Sequence, residues 1–218
     1  MSIYKSIDFT REDPWRVFRI MSEFVDGFED LSEIGQAVTV FGSARSKPSD
    51  KYYKLAEKIA AKLVKAKYAV ITGAGSGIME AANKGAKEAG GKSIGLNIDI
   101  PIAQKPNPYV THLIDFKYFF CRKVMFIKYA KAFVVVPGGY GTMDEFFEAI
   151  TLIQTLRIRS FPVILIGKEY WEGLIGWMKK QMLKNKLISK KDLNIFQITD
   201  SPDEVIKIIK AFSKKKGK

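Results

Sequence analysis

The sequence predicts a single α/β domain built on a doubly wound parallel sheet, with one additional helix at its N-terminus. Three observations lead there. Short, wholly apolar runs such as "AFVVV" and "FPVILI" alternate with longer segments of helical period, the pattern of strands buried on both faces between crossover helices. Three strand-like runs end in glycine-bearing turns: "VFGSAR" (40–45), "ITGAGSGIME" (71–80) and "VPGGYGTMDE" (136–145). No internal repeat or low-complexity linker divides the 218 residues, a length that one core can serve.

The elements follow in order. Residues 12–31 form the first helix: Asp13 can cap it, Pro14 suits the first helical position, and Trp15, Phe18, Met21, Phe24 and Phe28 recur at helical spacing. A strand at 36–42, a helix at 50–66, a strand at 68–73, a helix at 77–90 and a strand at 92–98 come next. Residues 101–109, "PIAQKPNPY", are a proline-punctuated loop. A short strand at 110–116 precedes a helix at 118–131 and a strand at 132–138. A helix from Thr142 to about Leu156, a strand at 161–167, a helix at 170–184, a strand at 194–199 and a last helix from Pro202 complete the chain. The expected organisation is a helical extension over 1–35, a body carrying the parallel sheet over 36–212 and a basic tail over 213–218.

Composition narrows the function classes. The longest apolar runs fall far short of the ~20 residues that cross a bilayer, and no basic patch followed by an apolar segment marks a secretory signal. A cytoplasmic location is the expectation. The one cysteine, Cys121, excludes an internal disulfide framework and a clustered-cysteine zinc site, so no metal is expected. The formal charge is +13, of which the tail lysines Lys214, Lys215, Lys216 and Lys218 supply only four, so basicity is distributed. That balance favours anionic partners without choosing among them. The lysines follow ordinary helix periodicity instead of clustering with aromatic residues, so neither nucleic acid nor membrane is the expected partner.

Ligands of doubly wound sheets bind beyond the carboxyl ends of the strands, which directs attention to the three turns. Glycine lets backbone and ligand approach closely, and a following helix N-terminus presents free N–H groups to an anion. Three such turns on one sheet edge point to a phosphate-bearing ligand. "GAGSGI" misses the dinucleotide spacing by one residue, and no Gly-Lys-Ser/Thr follows any turn, so neither a nicotinamide site nor a P-loop is expected. Thr142 and Glu145 have the spacing of a capping box, yet the "PGGYG" before them exceeds what a helix start requires. Glu145 is thus either a cap or a pocket residue. The "SPDE" at 201–204 has the same spacing without glycines and reads as a cap alone.

The helix at 118–131 supplies a second clue. On a wheel of about 100° per residue, Lys117, Lys128 and Lys131 share a solvent stripe, and Arg122 lies roughly 140° away among Tyr118, Met125, Phe126 and Tyr129. A guanidinium on an apolar stripe needs an anion: an internal carboxylate, Glu145, or a bound phosphate. Cys121 falls near the lysine stripe and is assigned no chemistry, and His112 reads as structural.

These residues carry a resemblance. "PGGYGTMDE" is similar to the PGGxGTxxE signature of the LOG ("lonely guy") family of cytokinin riboside 5′-monophosphate phosphoribohydrolases and related nucleotide monophosphate nucleosidases. "FFCRKVMF", "TGAGSGIMEAANKGA" and "FGSAR" resemble its Arg-Lys helix, second turn and first turn, and the match runs from about residue 13 to 210. The resemblance implies a Rossmann-like fold and a cofactor-free hydrolysis of the N-glycosidic bond of a nucleoside 5′-monophosphate, AMP or an N6-modified AMP. It implies catalytic roles for Arg122 and Glu145 and a phosphate loop at Gly138, Gly139, Gly141 and Thr142. Gly42, Ser43, Gly73, Gly75, Ser76, Gly77, Glu80 and Lys123 would be further substrate contacts. A homodimer or larger assembly is also implied. The lysine decarboxylase label many members carry fits poorly, because nothing in the chain resembles a pyridoxal-phosphate site. One departure is visible: Ala74 stands where the second turn usually has a glycine, which strains the loop if that residue needs φ > 0. The chemistry agrees with the residues, since a fixed carboxylate stabilises the positive charge that develops at C1′. Arg122 does not release a proton near neutrality, so it clamps phosphate or orients Glu145.

Overall fold

The computed structural model describes residues 14–100 and 105–215. The expected cap at Asp13, the first four residues of the proline-punctuated loop and the last three residues of the tail lie outside them.

The chain runs α1 (Arg16–Leu31), β1 (Ala37–Phe41), α2 (Lys51–Lys65), β2 (Ala69–Thr72), α3 (Ile78–Glu88), β3 (Ser93–Ile98), β4 (His112–Phe116), α4 (Phe119–Lys128), β5 (Ala130–Val135), α5 (Tyr140–Gln154), β6 (Val163–Leu165), α6 (Lys168–Trp177), β7 (Phe196–Ile198) and α7 (Pro202–Lys215). The seven strands make one sheet in the order β4-β3-β2-β1-β5-β6-β7, and every pairing is parallel. Successive side chains of a strand face opposite ways, and the sequence uses that period to feed two cores. Val38, Val40, Ala132, Val134, Ile164 and Ile166 pack with α2, α3 and α7. Ala37, Phe41, Phe133, Val135, Val163 and Leu165 pack on the other face with α1, α4, α5 and α6.

From β1 the chain works outward through β2, β3 and β4, then returns to place β5 against the other side of β1. The connections therefore diverge between the carboxyl ends of β1 and β5, which is where a doubly wound sheet opens a crevice. The first and third glycine turns sit at that divergence.

α1 lies across α4 and β4. Glu23 on α1 accepts the amides of Lys117 (2.7 Å) and Tyr118 (3.1 Å) just ahead of α4, and Tyr129 Oη donates to Phe28 O (3.1 Å). The outer face of α1, with Trp15, Phe18, Met21 and Val25, is exposed.

Four boundaries differ from expectation. α5 begins at Tyr140, two residues before Thr142, because Gly139 O accepts both the Thr142 (3.0 Å) and Met143 (3.1 Å) amides. α4 ends at Lys128 and β5 starts at Ala130, so Lys117 precedes the helix and Lys131 belongs to the strand. The lysine stripe of the sequence reading therefore does not exist, and Cys121, expected beside it, is fully buried. The helix expected at 170–184 is α6 followed by a π-helical turn, Met178–Leu183. α7 extends to Lys215, three residues into the expected tail. Among the described residues no helix is long and apolar enough to cross a membrane, and no group of three His, Cys, Asp or Glu residues is placed to hold a metal.

Candidate active site

The three turns are stitched into one rim. Ser43 N donates to Pro137 O (3.0 Å), tying the end of β1 to the end of β5. Ile78 N donates to Ser43 O (3.0 Å) and Ser76 Oγ to Ala44 O (2.8 Å), tying the first turn to the second. Two glycines are required by these approaches. Gly77 has φ +67°, and a Cβ there would collide with Ser43 O. A Cβ on Gly138 would strike Thr142 Oγ1 and lie 2.8 Å from Ser43 N.

Between the rim and α4 is a cavity of about 630 Å³. Its floor and walls include Gly42, Ser43, Gly73, Arg122, Gly139, Gly141, Thr142 and Glu145, which the sequence reading had singled out. Phe41, Ala44, Arg45, Met79, Phe119, Phe126, Tyr140 and Asp144 complete it, and none of these was anticipated. A volume of this size suits a small-molecule ligand.

One end of the cavity is the N-terminus of α5. No side chain caps this helix. Among the described residues the main-chain amides of Gly139, Tyr140 and Gly141 find no acceptor, and they belong to the positive end of a fifteen-residue helix. Such an end receives an anion.

Glu145 lies on the following turn of α5. It is not a capping-box partner: the helix starts at Tyr140, and Thr142 lies inside it, 6% exposed. Glu145 is 8% exposed, its Oε2 is buried without a hydrogen-bond partner, and its Oε1 is 3.5 Å from Lys123 Nζ. Burial pushes its carboxyl up from the ordinary range to about 7; Lys123 and Arg122 oppose this, and Glu148 and Asp144 add to it. At 201–204 the same spacing does make a cap: Ser201 Oγ accepts Glu204 N (3.4 Å), while the Glu204 carboxylate accepts Thr199 Oγ1 (2.6 Å).

Arg122 crosses the cavity floor from α4. Its Nε donates to Leu96 O (2.8 Å) and its Nη2 to Gly73 O (3.2 Å), at the carboxyl ends of β3 and β2, and its guanidinium lies 5.0 Å from the centre of the Phe126 ring. Among the described residues no carboxylate is within 4 Å of it, so the internal salt bridge held open by the sequence is replaced by carbonyl acceptors. Burial lowers its pKa to about 10, against the pull of Glu145, and it stays a cation at neutral pH.

The other expected contacts lie around the cavity, not on it. Lys123 Nζ sits among three carboxylates of α5, at 2.5 Å from Asp144, 3.5 Å from Glu145 and 3.0 Å from Glu148. Glu80 accepts the Tyr53 hydroxyl (3.0 Å). Gly138 O accepts Tyr170 Oη (2.6 Å). His112 is exposed at the amino end of the edge strand β4, opposite the cavity.

Gly75 and its turn are held from below by a residue the sequence reading passed over. Asn107 Nδ2 donates to Ala74 O (2.9 Å), Gly75 O (3.0 Å) and Asn83 Oδ1 (2.9 Å), and Asn107 N to Ala74 O (2.8 Å). Within that turn Ala74 does adopt φ +65°. The signal for Asn107 was the "PNP" in the proline-punctuated loop, where the asparagine stands between two residues that restrict the backbone.

A family model described as "Possible lysine decarboxylase" matches residues 79–209, well over half of the chain. A cytokinin riboside 5′-monophosphate phosphoribohydrolase of Rhodococcoides fascians is 29% identical over 150 residues, covering 66% of this chain and 74% of that protein. Another of that name from Arabidopsis thaliana is 27% identical over 181 residues, covering 80% and 77%. The crystal structure of a structural-genomics target superposes with a TM-score of 0.62 at 24% identity over 81% of this chain and 99% of its own, a likeness of fold. With the glycine turns, the Arg-Lys helix and the acidic second turn of α5 all present, the chain belongs to the LOG family, whose model carries the lysine decarboxylase description.

Proposed function

We propose that the protein hydrolyses the N-glycosidic bond of a nucleoside 5′-monophosphate, AMP or an N6-modified AMP, to the free base and ribose 5-phosphate. One observation carries this reading: acceptor-less amides at the N-terminus of α5 share a cavity with the unpartnered Glu145 Oε2 on the next turn of the same helix. The names of the relatives support it.

In this reading the 5′-phosphate sits on the amides of Gly139, Tyr140 and Gly141, and its binding energy fixes the ribose. C1′ then faces Glu145. As the C1′–N bond lengthens, positive charge spreads over C1′ and the ring oxygen, and the carboxylate stabilises it more than it stabilises the neutral sugar. Water adds its hydroxyl to C1′ and gives its other proton to Glu145; the base nitrogen takes one proton from solvent as it leaves and Glu145 returns its own to solvent, so the products are neutral base and ribose 5-phosphate with Glu145 restored. A carboxyl near pH 7 is matched to giving and taking that proton at neutrality. Arg122, held by two carbonyls, keeps a fixed positive charge on the cavity floor that favours the ionised form of Glu145. The rings of Phe41, Phe119 and Phe126 and the thioether of Met79 offer apolar walls to the base.

The test is a panel of purine and pyrimidine 5′-monophosphates and their nucleosides, with ribose 5-phosphate detected directly. Turnover confined to monophosphates is the expected result. Equal turnover of the nucleosides, or binding of every monophosphate with no turnover of any, refutes the proposal.

A further inference from the structure

We propose that Arg45 neutralises the phosphate of the substrate and makes the site selective for phosphomonoesters. This rests on the reading of the cavity as a nucleotide site and adds a residue to it.

The cavity already holds the carboxylates of Asp144 and Glu145, and a phosphomonoester adds a dianion. Main-chain amides and a helix end carry only partial charge, so a full cation is needed beside them. The two cations singled out from the sequence are committed elsewhere. Arg122 is half-buried, with Nε and Nη2 on carbonyls and its face on Phe126. Lys123 is enclosed by Asp144, Glu145 and Glu148 and does not line the cavity.

Arg45 lines the cavity, is exposed, and has no carboxylate within 4 Å among the described residues. Its backbone is fixed, and among the described residues its side chain makes no hydrogen bond. Arg45 N donates to Ser43 Oγ (3.1 Å), Ser43 N to Pro137 O (3.0 Å), and Ala44 O accepts Ser76 Oγ (2.8 Å). The Cα of Arg45 is therefore pinned two residues from the point where the first turn meets the phosphate-side loop. A guanidinium on that mount can approach a phosphate at the α5 N-terminus and bind two of its oxygens in parallel, which an ammonium cannot.

The test separates binding from turnover. Ribose 5-phosphate and ribose are titrated calorimetrically into the wild-type protein and into Arg45→Ala, Arg45→Lys and Lys47→Ala; Lys47 is a neighbouring exposed lysine that does not line the cavity. Arg45→Ala is expected to weaken ribose 5-phosphate binding on the order of tenfold to a hundredfold and to flatten its salt dependence, with Arg45→Lys intermediate and Lys47→Ala like wild type. In hydrolysis the loss should fall on KM more than on kcat. Wild-type affinity for ribose 5-phosphate in Arg45→Ala, or an equal loss in Lys47→Ala, overturns the inference. If no nucleotide is hydrolysed but Arg45→Ala still loses ribose 5-phosphate selectively, the proposed reaction fails and this assignment stands.

Discussion

Replacing Glu145 by glutamine should make the protein more stable and nearly inactive, with a stability gain that depends on pH. The carboxyl is 8% exposed, and its pKa in the fold is about 7 against an ordinary 4.5. At about 1.4 kcal/mol per pH unit, that displacement amounts to about 3 kcal/mol. Below pH 4.5 the carboxyl is protonated in both folded and unfolded chains and exacts no penalty. Between 4.5 and 7 the folded chain holds the proton more tightly, so stability falls as pH rises. Above 7 the folded chain carries a buried charge and the full penalty. Glu145→Gln removes that charge while nearly keeping the shape, and Lys123 retains Asp144 and Glu148 as partners. Urea unfolding at pH 8 should therefore show the variant more stable by about 3 kcal/mol, and the two proteins should converge near pH 4.5. In thermal unfolding the gain at pH 8 should be roughly 6–12 °C for a chain of this size. A variant less stable than wild type at pH 8, or equally displaced at both pH values, would refute the electrostatic account of this residue.

Three further outcomes follow from the same geometry. Lys123→Met removes the cation nearest Glu145 and leaves Asp144 and Glu148 beside it, so the acid limb of the pH–rate profile should move about one unit alkaline; an unmoved limb would show that Lys123 does not tune Glu145. Asn107→Ala leaves Ala74 O, Gly75 O and Asn83 Oδ1 each without one donor, and should cost about 1–3 kcal/mol in denaturant unfolding. Ala74→Gly relieves the left-handed backbone at φ +65°, worth about 1–2 kcal/mol, while raising unfolded-chain entropy by about 0.4–1 kcal/mol. Its stability should stay within about 1 kcal/mol of wild type, and a large loss would mean that the alanine methyl carries essential packing.

The parts of the fold legible in the sequence are those set by local pattern. Short, wholly apolar runs and helices of period 3.6 were separable, because each strand of this sheet serves two cores at once. The turns at residues 42, 73–77 and 138–141 were legible because close backbone approach permits few residue types, and their place on one edge followed from a parallel sheet. Boundaries set by tertiary contact were not. The start of α5 depends on Gly139 O capturing two amides, which the Thr-x-x-Glu spacing does not encode. The junction of α4 and β5 misled the helical wheel, since the chain passes from one element to the other within Lys128–Ala130 and carries Lys131 off the helix. Arg122 was placed correctly on an apolar face, but its partners are main-chain carbonyls of Leu96 and Gly73, which no side-chain pattern reveals. Arg45 and Asn107 stand in loops, where their neighbours are decided by which strands lie side by side.

The most direct measurement is a crystal structure of the Glu145→Gln protein with AMP bound, the variant chosen so that the nucleotide survives. The phosphate is expected on the amides of Gly139, Tyr140 and Gly141, with C1′ facing the side chain at position 145. A phosphate seated away from the α5 N-terminus, or a ribose turned so that C1′ faces away from position 145, would contradict it.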